Sequence, residues 1–155
     1  VTPMTPYPQS PRRPVPASIA HPHYVDRPAP DRYTGPDVQT AETIELMRES
    51  SRIASDAMYE AARAIAPGVT TDRLDAVAHE YMLDHGAYPS ALGYRHFPKS
   101  ICTSVNDIIC HGIPDARPLE EGDLVKIDVT AFKNGVHGDN CATFGSETST
   151  RTRAC

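Results

Sequence analysis

Two aspartates carry the clearest chemistry in this sequence, Asp128 and Asp139, both in the stretch LVKIDVTAFKNGVHGDNCATF that runs from Leu124 to Phe144. The stretch reads as a β-hairpin turning at Asn134-Gly135, a dipeptide suited to two successive residues with positive φ. A two-residue turn sets Lys133 opposite Val136, Thr130 opposite Asp139 and Asp128 opposite Cys141. Directly opposed residues share a face of the ladder, as do residues i and i+2, so Asp128, Thr130 and Asp139 point the same way. Carboxylates held this close repel unless a cation or a shared proton lies between them, which makes a metal site the sharp reading. A three-residue loop from Lys133 to Gly135 would move Asp139 opposite Val129, on the other face. The hairpin would then carry two unrelated surface acids.

The elements that must position this pair come earlier in the chain. From Thr40 the pattern is helical, with Thr40 as N-cap and Glu42 and Glu45 placed to suit the helix dipole. Ile44, Met47, Ala54, Met58, Ala61 and Ile65 follow a three-and-four spacing, with Ser51 the one polar residue on that line, and Pro67-Gly68 ends the helix. A second helix opens after Thr71, carries Leu74, Val77, Ala78, Tyr81 and Met82 on one face, and stops at Gly86. His79 and His85 fall outside that stripe and are expected in solvent. Strands are expected around Ser100–Ser104 and Asp107–Cys110, joined through Val105-Asn106-Asp107, and Pro114–Gly122 leads as a loop into the hairpin.

Composition bounds the rest. A chain of 155 residues with net charge −5 allows one ordinary domain and offers no basic face for nucleic acid. No apolar run approaches the roughly 20 residues that span a bilayer, so no membrane association is expected. The four cysteines, Cys102, Cys110, Cys141 and Cys155, show no paired spacing, which suits free thiols and a cytoplasmic location. Residues 1–36 hold ten of the fifteen prolines and read as an extended arm. Its P-x-x-P spacings, Pro3/Pro6, Pro8/Pro11 and Pro11/Pro14, suit either a recognition arm or a wrapping tail. Residues 37–144 form the folded unit, and residues 145–155 read as a polar tail.

GYRHFPKSICTSVNDIICHGIP, followed by EEGDLVKIDVTAFKNGVHGDNCATF, closely resembles the type I methionine aminopeptidases, and the likeness runs over residues 40–144. The resemblance implies an α/β (α+β) chain that is the N-terminal half of a pita-bread fold, an antiparallel sheet with two covering helices. It implies two divalent metal ions, cobalt, manganese, iron or zinc, with Asp128 and Asp139 among their ligands. By the same likeness His111, of the CHGIP segment, contacts the scissile amide, while Tyr94, Phe97 and Cys102 line the pocket for a substrate methionine. The implied activity is metal-assisted removal of the initiator methionine from nascent polypeptides, with the arm as a possible ribosome contact. The family's other three ligands, one histidine and two glutamates, find no counterpart after Asp139, so a truncated, inactive polypeptide is expected. The alternative is a non-catalytic binding module on an incomplete fold.

Overall fold

A computed structural model describes residues 6–25 and 27–147. Pro3, Cys155 and the tail beyond Glu147 lie outside the described residues. Two helices, α1 (Ala41–Arg63) and α2 (Thr71–Asp84), are followed by four strands: β1 (Tyr88–Pro89), β2 (Cys102–Val105), β3 (Leu124–Lys133) and β4 (Val136–Gly145). The sheet is antiparallel. β4 covers one edge of β3, while β1 and β2 lie end to end along the other.

The hairpin closes as the two-residue turn requires. Asn134 and Gly135 sit at φ +52° and +82°, both in the left-handed region, and Lys133 pairs with Val136. The register therefore sets Thr130 opposite Asp139 and Asp128 opposite Cys141. Val125, Ile127, Val129 and Ala131 are buried toward the helices, whereas Asp128 and Thr130 alternate onto the open face.

Backbone contact locks the sheet under α1. A Cβ on Gly138 would lie 2.1 Å from the Ser51 nitrogen, so only glycine lets the helix and β4 approach this closely. Asn140, on the same face, donates to the Ser51 carbonyl at 2.9 Å. The core joins Ile53, Ala54, Ala57, Met58 and Ala61 of α1 to Leu74, Ala78 and Met82 of α2 and to the buried side of β3.

Four local expectations need correction. Ile44 and Met47 remain 41% and 39% exposed, because Glu49 already meets Lys133 and Asn134 at the hairpin turn and the first turns of α1 extend past the sheet. α2 begins one residue early, with the Thr70 hydroxyl accepting from the Arg73 amide. No strand forms at Asp107–Cys110. The Thr103 amide instead donates to the carbonyl of Gly112, which takes the ladder position, and the intervening residues loop outward with Ile109 87% exposed. His79 is buried rather than solvated, since Thr71, Asp75 and His79 form a second, polar stripe on α2 at i, i+4 spacing.

That stripe receives the arm. Arg13 bonds Asp72 and Asp75 at 2.9 and 3.0 Å, and buried Lys99 bonds Ser10 and Asp72 at 2.6 and 2.5 Å. His79 takes the Pro14 carbonyl on Nε2 and the Ser100 hydroxyl on Nδ1. Ser10 and Arg13 face inward three residues apart, while Pro8, Pro11 and Pro14 face solvent, as a three-residue helical repeat places them.

Candidate active site

The open face of the sheet forms one wall of a cleft of about 870 Å³. All six residues singled out from the sequence line it: Tyr94, Phe97, Cys102, His111, Asp128 and Asp139. Three elements of different kinds bring them together. The hairpin supplies the aspartates. β2 sets Cys102 opposite Asp128 across the ladder, so that Cys102, Asp128 and Cys141 form a row across three strands.

The third contribution comes from two strained turns. Tyr94 opens a short 3₁₀ segment (Tyr94–His96) in which Arg95 and His96 have φ of +46° and +67°. His111 sits at φ +55° between β2 and the hairpin. Gly112 explains its position: a Cβ there would lie 2.1 Å from the Thr103 carbonyl, so the chain crosses β2 at backbone contact and His111 is delivered to the cleft rim. The Gly112 amide also donates to the Ser104 hydroxyl at 3.2 Å.

The two carboxylates affect each other. The Thr130 hydroxyl donates to Asp139 Oδ1 at 2.8 Å, which orients that carboxylate. Burial raises the pKa of Asp128, and the neighbouring charge of Asp139 raises it further. A divalent cation between them would reverse that cost, and carboxylate oxygens are suitable hard donors. Among the described residues, however, no three His, Cys, Asp or Glu side chains are grouped to hold an ion. The pair therefore fits a metal as part of a donor set. Cys102 has a different character. Burial, reinforced by Asp128, pushes its pKa up to about 12, so it is a neutral thiol and not a nucleophile.

The sequence pattern of metallopeptidase family M24 matches residues 45–154. This chain belongs to metallopeptidase family M24. It is 59% identical over 143 residues to methionine aminopeptidase 2 of Mycobacterium tuberculosis, a match covering 92% of this chain and 50% of that protein. It is 43% identical over 132 residues to the human mitochondrial methionine aminopeptidase 1D, covering 84% and 39% respectively. Among solved structures, the Rickettsia prowazekii methionine aminopeptidase superposes with a TM-score of 0.71 at 36% identity, over 74% of this chain and 46% of that one. The chain thus has the fold of part of a pita-bread domain and spans between 39% and 50% of the length of these relatives.

Among the further residues that line the cleft and that motif reasoning did not single out are Tyr24, Ser90, Ile113 and His137. His137 was accessible to the same register count, two residues before Asp139 and opposite Phe132. Tyr24 carried no local signal, being a lone tyrosine within the proline-rich arm.

Proposed function

We propose that this chain supplies part of the active site of a metal-dependent aminopeptidase that removes an N-terminal methionine from polypeptides. The supporting observation is convergence: one cleft holds the carboxylate pair together with Tyr94, Phe97, Cys102 and His111. Asp128 and Asp139 would hold one or two divalent ions, cobalt, manganese, iron or zinc, jointly with further ligands. When bound, such an ion supplies the Lewis acidity that hydrolysis of a peptide bond requires. Thr130 keeps the Asp139 carboxylate in one orientation. In this reading His111 would hydrogen-bond the scissile amide, and the neutral Cys102 thiol would form a small pocket wall suited to a thioether.

A second reading, a binding module for nascent chains or the ribosome in the cytoplasm, draws on the outward-facing Pro8, Pro11 and Pro14. One experiment separates the two. The chain, joined to the remainder of the Mycobacterium tuberculosis relative, is assayed on a Met-Ala-Ser peptide with cobalt or manganese. Turnover that falls at least about 100-fold in Asp139→Asn supports the enzyme. An inert chimera, or one indifferent to that substitution, overturns it. The 155-residue polypeptide alone is expected to show no turnover, because its two carboxylates leave most of a metal's coordination shell unfilled.

A further inference from the structure

We propose that Tyr24, a residue of the proline-rich arm, is a positioning residue of the substrate cleft, fixing the ring of Tyr94 and the imidazole of His137 against which an unbranched apolar side chain would lie. The inference rests on the aminopeptidase reading and adds the arm to its substrate site.

Tyr24 is 5% exposed, yet it is buried apart from the core built by the helices and sheet. Apart from the adjacent His23, its ring contacts are with cleft residues. The ring meets Tyr94 edge-on, with centroids 5.2 Å apart and planes at 89°. It lies nearly parallel to His137, at 6.1 Å and 16°. The hydroxyl donates to the Ser90 carbonyl at 2.7 Å, and the Ser90 hydroxyl in turn pairs with His137 Nδ1 at 2.9 Å. Tyr24, Ser90 and His137 thus form a closed ring of contacts, with Phe132 packed against His137 at 4.9 Å.

The arm is held so that it can do this. A turn closes between the Pro22 carbonyl and the Val25 amide, and the Tyr24 carbonyl accepts from Arg27, which fixes the backbone at the contact. Upstream, Arg13 is tied to Asp72 and Asp75. The Tyr94 backbone is bonded to Ala91 and Phe97, but its ring is less enclosed than that of Tyr24. Tyr94 is 40% exposed and begins a segment whose next two residues adopt left-handed backbone. Removing Tyr24 takes away the edge that limits how far the Tyr94 ring can swing. An aromatic wall of fixed width favours a flexible thioether, which gains sulfur–aromatic contact, over a branched side chain.

The test uses the 155-residue chain and a Met-Ala-Ser peptide, following the methionine methyl proton resonance, which ring currents move upfield in an aromatic cleft. Tyr24→Ala should weaken peptide binding at least about fivefold, while Tyr24→Phe, which keeps the ring edge, stays within about twofold of wild type. Tyr24→Leu keeps the buried volume but lacks the ring edge; it should behave as Tyr24→Ala, so the result does not depend on the most disruptive variant folding. Binding equal to wild type in both Tyr24→Ala and Tyr24→Leu overturns the proposal. If the 155-residue wild type does not bind the peptide, the methionine reading is still decided by the chimera, and the ligand-free Tyr94 ring resonances decide this inference separately. Changed NOE contacts from the Tyr94 ring protons to their cleft neighbours in Tyr24→Leu support the positioning role, and unchanged contacts overturn it.

Discussion

Two pairs of carboxylates in this chain are handled in opposite ways. Asp72 and Asp75, on α2, face the cations Arg13 and Lys99, and each oxygen of Asp75 has a partner: Oδ1 accepts from the Ser100 and Ile101 amides and Oδ2 from Arg13. Burial alone would raise the pKa of Asp72, but hydrogen bonds from Lys99 and Ser10 and the charge of Arg13 outweigh it and hold the carboxyl below its ordinary range. Asp128 and Asp139 face each other. The charges of His111 and Lys126 act on Asp128, but neither forms an ion pair with it among the described residues. The first pair is neutralised from within the chain and fastens the arm. The second is left in mutual repulsion, an arrangement that a bound cation would relieve.

Breaking the neutralised pair should have the largest effect. Asp75→Ala leaves the Ser100 and Ile101 amides without their buried acceptor and takes away one of Arg13's two carboxylate partners, and is expected to cost about 3–5 kcal/mol, read from chemical denaturation. Relieving the unneutralised pair should act in the other direction. Asp128→Asn removes the repulsion that raises Asp128 and should increase the melting temperature of the metal-free chain by about 2–4 °C. A fall in melting temperature would show that Asp128 is a structural acid like Asp75.

Acid titration gives a smaller effect and tests the arm contact. Burial lowers the pKa of His79 from its ordinary 6.5, so the unfolded chain takes up a proton first as pH falls. The stability His79 contributes is therefore complete above 6.5 and is lost as pH drops from 6.5 toward the lowered folded value. His137 titrates in the same direction. Melting temperatures at about pH 7.5 and about pH 5.5 should show this loss in the wild type and a smaller one in His79→Gln. An equal loss in both would remove His79 from the account.

The contrast between the pairs also marks what the sequence could reveal. The hairpin was legible because Asn134-Gly135 suits a two-residue turn, and that turn, once chosen over a three-residue loop, sets every partner from Lys133–Val136 outward to Asp128–Cys141. Helix starts were legible to within a residue, because Thr40 and Thr70 cap locally. The fate of Asp75 and His79 was not, since their partners Arg13 and Pro14 lie more than sixty residues away in sequence, in a segment whose composition specifies extended chain and no docking site. The cleft residues His111, Tyr94, Phe97 and Cys102 were found through family resemblance. Nothing in their spacing shows that Gly112 must cross β2 at backbone contact to bring His111 there.

The most direct test of the unneutralised pair is manganese titration of the 155-residue chain, read by paramagnetic broadening of its amide resonances. Weak broadening centred on Asp128, Thr130 and Asp139, and lost in Asp139→Asn, is the predicted result. Broadening spread over the acidic surface and unchanged by Asp139→Asn would contradict the assignment of this face as a metal site.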